Sequence, residues 1–328
     1  MLNYFFNEND EIDRLLSEVK ALKIVFETIP TLPQIEENIR RESLLKSSLF
    51  SARVEGNPLN LANIKEIRED GPDPVELHKL EIANLLKAYR FIYLGKVPET
   101  LSESLIFNLH FMVMKGITEN AGKYRTEPWA IFNQAGIAVY LAPPASGIPG
   151  LIAELIESVA ACKASPPIKA AIAQFILEKI HPFADGNGRV GRLLSAYILR
   201  NEGFGFKGLV SFEEYIDENR ERYYAALDSD KEMTSFIEFF LESLEAQARK
   251  VLEMLRERKT EAPADSLLPR RREILEIIKD HPECSFDFLC RRFQNINPKT
   301  LHYDLKQLQE KGFLQKLGAT RGSLYKLK

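Results

Sequence analysis

The residues best suited to chemistry lie within twelve positions, His181-Pro-Phe-Ala-Asp185-Gly-Asn-Gly-Arg189-Val-Gly-Arg192. They put an imidazole, a carboxylate, a glycine-flanked turn and two guanidinium groups on a span that one loop and one helical turn can cover. That set suits a nucleotide. An imidazole with an ordinary pKa near neutrality can take a proton from an attacking hydroxyl. Asp185 is a hard oxygen ligand able to hold Mg²⁺ against phosphate oxygens. The Gly186-Asn187-Gly188 core can take the positive φ values that other residues resist, so that its backbone amides converge on an anion. Arg189 and Arg192, three apart on one helix face, neutralise charge on a phosphate chain as its bond breaks. The inventory describes nucleotidyl or phosphoryl transfer without a P-loop, because no Gly-x-x-x-x-Gly-Lys-Ser/Thr occurs in the chain.

Such a loop needs a helix on each side. Val190, Leu193, Leu194, Tyr197 and Ile198 have helical spacing, which predicts a helix running to about Asn201 and ended by Gly203. The largely apolar stretch 166–180 predicts a central core helix that delivers His181 at its end. Further helices are expected over 11–28, 34–53, 59–69, 75–94, 102–115, 149–164, 213–227 and 234–258. The second of these stops at Ser51-Ala-Arg-Val-Glu55-Gly56-Asn-Pro58, which leaves Glu55 near a helix C-terminus. A carboxylate is disfavoured there, so a compensating partner outside the helix is expected. Trp129, Ile131, Phe132, Ile137, Val139 and Tyr140, split by residues 133–136, predict a small hairpin and the only strands before the tail. The fold class read from this pattern is mainly α, a helical bundle with a small β-hairpin.

The 328 residues carry a net charge of −3 and 45% hydrophobic composition, an ordinary globular balance. No apolar run approaches the ~20 residues of a membrane span, and the first residues lack the basic-then-apolar order of a signal peptide. Three cysteines form no paired framework, and Cys284 and Cys290 with His281 and His302 match no usual zinc spacing. A cytoplasmic protein that engages no membrane is expected. Residues 267–328 differ, with 13 Lys/Arg against 7 Asp/Glu, a net +6. Helices over 270–279, 286–293 and 297–311, then two strands over 313–316 and 323–326, resemble a winged helix-turn-helix. Its third helix carries Lys299, Thr300, His302, Tyr303 and Lys306 as a candidate recognition surface. Duplex DNA at 267–328 and a protein partner, including a second copy in a homodimer, are the alternatives.

The loop also resembles the hallmark of Fic-domain proteins, His-x-Phe-x-Asp/Glu-Gly-Asn-Gly-Arg-x-x-Arg, which every constrained position between His181 and Arg192 meets. Gly122-Lys-Tyr-Arg125 with the hairpin is similar to that family's flap, and Asn219-Arg-Glu-Arg-Tyr223-Tyr224 to its later helix. The resemblance implies a Fic-type helical domain over 71–258, an N-terminal region 1–70 with an inhibitory helix at about 34–56, a linker 259–266 and an appended module 267–328. It further implies transfer of AMP from ATP to a Ser, Thr or Tyr hydroxyl of a target protein, or of the chain itself. His181 is then the base, Asp185 the Mg²⁺ ligand, and Gly186, Asn187, Gly188, Arg189 and Arg192 the phosphate site. Tyr223 and Tyr224 are candidates to line the base, and Ile131, Phe132, Val139 and Tyr140 to dock the target. Ser51-x-x-x-Glu55-Gly56 matches the family's inhibitory signature, which implies that Glu55 occupies Arg192. Running the same site backwards to remove AMP, or nucleotide sensing by a transcription regulator that acts through the basic tail, are the competing functions.

Overall fold

The computed structural model describes residues 3–29, 31, 33–64, 77–132, 138–258, 267–281, 284–293, 296–318 and 323–328. Helix dominates, and the chain forms two compact units: Met1–Ile29 with Arg40–Glu253, and Pro30–Ile39 with Met254–Lys328. Among the described residues no helix is long and apolar enough to cross a membrane.

The first unit is built from the N-terminus inward. In α1 (Asp10–Thr28), the Asn9 side chain accepts from the Ile12 amide as an N-cap, and Ile12, Leu15, Val19, Leu22 and Phe26 bury one face. Next comes α2 (Pro33–Val54), whose residues from Arg40 onward belong to this unit. Its buried face mixes Leu44, Leu49, Phe50 and Val54 with Ser43, Ser47, Ser48 and Ser51. Polar groups so placed need partners. Ser47 Oγ donates to Glu213 Oε2 (2.7 Å), and Tyr89 Oη donates to Glu213 Oε1 (2.6 Å). The short α3 (Leu61–Ile64) follows, and residues 65–76, including the expected turn at 71–74, lie outside the described residues.

The helices α4 (Leu77–Leu94), α5 (Glu103–Met114) and α6 (Ile148–Ala161) surround a central pair, α7 (Pro166–Ile180) and α8 (Asn187–Asn201). Two prolines at its first positions start α7 without losing a helical hydrogen bond. Its residues are buried almost all round, so it is a core element, and the Ser195 Oγ of α8 lies 2.9 Å from both Ala170 O and Gln174 Oε1, its one proton serving either. The hairpin pairs β1 (Ala130–Phe132) with β2 (Ala138–Leu141) antiparallel, Ile131 opposite Tyr140, with a bulge next to Phe132. Its turn, 133–137, lies outside the described residues.

One helix expected over 213–227 is two, α9 (Phe212–Glu218) and α10 (Arg220–Leu227). Asn219 interrupts them at φ −126°, ψ 39°, and its Nδ2 donates to Tyr215 O (2.9 Å), a side-chain bond that competes with the helical ladder. The unit closes within α11 (Thr234–Arg258), at Glu253, and the expected linker 259–266 lies outside the described residues. A single bridge between Phe5 and Glu232 was not foreseen either.

The second unit contains α12 (Pro269–Asp280), β3 (Cys284–Ser285), α13 (Phe286–Arg292), α14 (Pro298–Glu310), β4 (Leu314–Leu317) and β5 (Leu324–Leu327). The strands form one antiparallel sheet in the order β3-β5-β4. Strand β3 is too short to leave a period-2 signal in the sequence. Leu267, Ile274, Ile278, Leu289, Leu301, Leu305, Leu308 and Tyr325 make a core of the unit's own.

Candidate active site

His181 caps α7 in the left-handed region (φ 48°, ψ 60°), a conformation that a non-glycine residue keeps only when its neighbours enforce it. Arg125 enforces it. Its amide donates to Pro182 O (3.0 Å) and its Nε to His181 O (2.7 Å). Its remaining nitrogens donate to Glu127 O and Pro143 O, on the two flanks of the hairpin. The Trp129 indole stacks on the imidazole at 3.5 Å. Nδ1 lies 3.4 Å from Glu178 O. With its proton there, Nε2 keeps a lone pair and is the basic nitrogen. Burial pulls the imidazole pKa down to about 4, with Arg125 adding to the fall and Glu178 O, Glu55 and Asp185 opposing it, so the ring is neutral at pH 7.

Phe183 is buried and anchors the loop by stacking on His110 (3.7 Å, 5° between planes). His110 Nδ1 accepts from the Gly122 amide (2.8 Å), so Nε2 carries the proton and donates to Asp185 O (3.0 Å). The Asn187 side chain closes the loop on itself. Its Oδ1 accepts from the Phe183 amide (2.9 Å) and its Nδ2 donates to Phe183 O (2.8 Å). Only Gly186 of the expected glycine pair has a positive φ, +86°. Gly188 is helical, and its lack of a side chain has another cause: a Cβ there would lie 2.1 Å from Glu55 Oε1 and 3.1 Å from Arg192 Nη1. The amides of Asn187, Gly188 and Arg189 open α8 and have no intrahelical acceptor, which makes an anion seat. The Gly186 amide is already spent on Asp185 Oδ1 (2.6 Å).

Arg189 is placed differently from a simple phosphate clamp. Its guanidinium is nearly buried between Asp185 Oδ1 and Glu81 Oε1, each at 2.5 Å. Asp185 itself is exposed, and among the described residues its Oδ2 accepts no hydrogen bond. A single carboxylate oxygen beside an anion seat fits Mg²⁺, which keeps most of its waters and takes one or two carboxylates plus substrate phosphates. No group of three potential ligands that could hold a metal by protein alone occurs among the described residues.

Arg192 is 0% exposed, and its charge is met from the end of α2. Nε donates to Ser51 Oγ (3.0 Å), and Nη2 to both Ser51 O and Glu55 Oε1 (2.8 Å each). Burial lowers its pKa, but Glu55 and its neighbours raise it further, so the guanidinium stays charged. Glu55 thus finds the partner that its place beside Gly56 (φ +95°) required. Tyr223, expected to line a nucleotide base, is a core residue here. It is 1% exposed, and its Oη accepts from Gln174 Nε2 (3.0 Å) and, more distantly, from Arg192 Nη1 (3.5 Å). Tyr224 is half exposed and donates to Val54 O (3.0 Å), so it holds the turn that carries Glu55. Beside them, Glu178 keeps a buried Oε1 without a hydrogen bond, and burial and then Glu55 push its pKa up to about 8.

On the hairpin, Ile131, Phe132 and Val139 occupy strand positions, while Tyr140 turns its hydroxyl to Lys179 O of α7. The sequence gives no part at the site to Glu81, His110 or Glu178, and it places Arg125 and Trp129 only as members of the flap segment and its hairpin.

The sequence profile of the Fic/DOC family matches residues 100–199. The chain is similar to a Fido domain-containing protein of Dictyostelium discoideum, 37% identical over 117 residues that are 34% of this chain and 79% of that protein. A probable protein adenylyltransferase of Aquifex aeolicus is 34% identical over 130 residues, 39% of each chain, so this chain spans well under half of that relative. The crystal structure of a Fic family protein from Desulfovibrio desulfuricans has the same fold, with a TM-score of 0.68 at 24% identity over 100% of this chain and 98% of that one. With its complete loop, its hairpin and a Dictyostelium relative matched over most of its length, the chain belongs to the Fic/DOC family.

Proposed function

We propose that this protein is an adenylyltransferase that moves AMP from ATP to a Ser, Thr or Tyr hydroxyl of a target protein and of itself, and that Glu55 holds it off. Relatives named protein adenylyltransferase support the reaction class. The hydroxyl oxygen attacks the α-phosphorus, the bond to the bridging oxygen of pyrophosphate breaks, and the hydroxyl proton passes to His181 Nε2. The neutral imidazole, stacked on Trp129, suits that role. The α8 amides and Arg192 hold the departing phosphates. Asp185 Oδ2 would hold Mg²⁺, which when bound neutralises phosphate charge. The hairpin receives the target as an added strand at Ile131, Phe132, Val139 and Tyr140, through backbone bonds that leave sequence selectivity weak.

The observation that carries the inhibited state is the Glu55 carboxylate, bonded to Arg192 and lying against Gly188 at the start of α8. The test compares wild type, Glu55→Ala and Glu55→Ala/His181→Ala with ATP labelled at the α or the γ phosphate, and identifies the adduct by mass. Label from the α position should rise in Glu55→Ala and vanish in the double variant. Label arriving only from the γ position overturns the assignment. The nearness of Glu55 to His181, felt in the imidazole's pKa, also supports the reverse reaction, removal of AMP with Glu55 orienting water. AMP release from a modified protein that is lost in Glu55→Ala would identify that direction.

A further inference from the structure

The transfer reaction leaves the second unit without a task. Three helices and an antiparallel β3-β5-β4 sheet pack round their own core, with α13 and α14 joined by a short connection. The strand between the first two helices pairs with the last strand of a C-terminal hairpin, the connectivity of a winged helix-turn-helix. What separates a DNA-reading module from a structural one of the same shape is the outward face of its third helix.

Helix α14 divides sharply. Leu301, Leu305 and Leu308 face the core, and so does Asp304, fully buried and bonded to Arg270 Nε (2.5 Å) and Arg271 Nε (2.8 Å). One of its two acids is therefore consumed inside the unit. Outward, Lys299, His302, Tyr303 and Lys306 are exposed in succession, and Glu310, 3.7 Å from Lys306, stands on the last turn. Two of these side chains are held in place. The His302 ring stacks on Phe286 at 3.7 Å, and Tyr303, 57% exposed, lies 5.5 Å from the Arg271 guanidinium. Apart from Glu310 at its end, the face presents two cations for phosphates and, between them, two rigid rings with polar edges, the pattern that sorts into backbone positioning and base contact. Exposed Lys316 on β4 extends the positive surface onto the sheet. Helix α14 is about 20 Å long at ~1.5 Å per residue, enough to lie in a major groove about 12 Å wide.

We propose that the second unit binds duplex DNA, with α14 in the major groove, Lys299 and Lys306 on phosphates, and His302 and Tyr303 at base edges. The proposal is independent of the transfer chemistry, because it uses no residue of the His181 loop.

The full-length protein is titrated with a labelled pool of random-sequence duplex DNA at several salt concentrations, alongside a single strand and an RNA hairpin of matched charge. Binding should weaken steeply with salt. Lys299→Glu/Lys306→Glu, at exposed positions, should bind at least about tenfold more weakly and lower the salt slope by about one per lysine. Tyr303→Ala should leave affinity for the unselected pool within about twofold, and lose about tenfold toward a duplex enriched by repeated selection on the wild type. No duplex binding at low salt, equal binding by the double variant, or tighter binding of the single strand or the RNA hairpin would each overturn the proposal.

Discussion

Gly188 lacks a side chain because a carboxylate occupies the space, and that explanation can be measured. In Gly188→Ala the new methyl carbon would lie 2.1 Å from Glu55 Oε1. To reach an ordinary contact the carboxylate must withdraw by about 1 Å, which stretches its 2.8 Å bond to Arg192 beyond hydrogen-bonding range. Hydrogen bonds to charged groups contribute about 1.5–3 kcal/mol. The Glu55 side chain is 30% exposed, so solvent screening places this one near the lower end, at about 1.5–2 kcal/mol. Against it stands the helical preference of alanine over glycine, at most about 1 kcal/mol and less in a first turn. Gly188→Ala should therefore destabilise the wild type by about 0.5–1.5 kcal/mol. In Glu55→Ala only Arg192 Nη1, at 3.1 Å, stays close, and once it gives by a few tenths of an ångström the same change should be neutral or slightly stabilising.

The assay is a double-mutant cycle by urea unfolding. Trp129 is the only tryptophan and stacks on His181, so its fluorescence follows the unit that holds the site. A coupling of about 1.5–2 kcal/mol is expected between positions 188 and 55. Equal costs of Gly188→Ala in the two backgrounds would refute the idea that Glu55 is seated over Gly188.

Three further outcomes follow from the site. The His181 pKa lies near 4, below its ordinary 6.5, so AMP transfer by Glu55→Ala should hold level as pH falls from 7 to 5, and a rate that halves near pH 6.5 would contradict the buried base. Glu178 is raised to about 8 from 4.5, so it supports folding below its ordinary pKa and loses that support as pH rises toward 8. Glu178→Gln should gain stability relative to wild type between pH 5 and pH 8, and a urea midpoint difference independent of pH would contradict it. His110→Phe keeps the stack on Phe183 but loses the bonds to Asp185 O and the Gly122 amide, each about 1–3 kcal/mol when left unmade. Transfer should drop about tenfold to a hundredfold and return in part with His110→Gln, which still offers an N–H donor; unchanged transfer in His110→Phe would remove His110 from the positioning of the loop.

The helices that frame the site were legible because their signals are local. α7 starts at paired prolines and carries an unbroken apolar pattern, and α8 repeats its apolar residues at helical spacing up to Asn201. The break between α9 and α10 was not legible, since it depends on how one asparagine spends its amide, and an asparagine within a helix reads the same. The loop residues could be named from type and order, and Glu55 from a short motif and its awkward place at a helix end. Their arrangement could not. Arg189 meets Glu81 across 108 positions and His110 meets Asp185 across 75, and neither pairing leaves a periodic trace. The reason for Gly188 was invisible too, because a glycine needed for its φ and one needed for the empty space beside it are the same letter.

That distinction changes what the Gly186-Asn187-Gly188 run does. Gly186 makes the turn, Asn187 ties the loop to Phe183, and Gly188 leaves room for an anion above the first turn of α8. Glu55 takes that room and shares Nη2 of Arg192 with the Ser51 carbonyl, while Ser51 Oγ accepts from Nε and Tyr223 Oη, more distantly, from Nη1. When Glu55 leaves, the guanidinium is still oriented by Ser51 but holds a buried charge that lacks its counter-ion. Under the proposed function, a phosphate oxygen would supply that counter-charge at the same place. The carboxylate and the phosphate would then compete for one seat that Ser51 keeps in shape for either, and the turn that carries Glu55, held by Tyr224 at Val54, would be the part that moves.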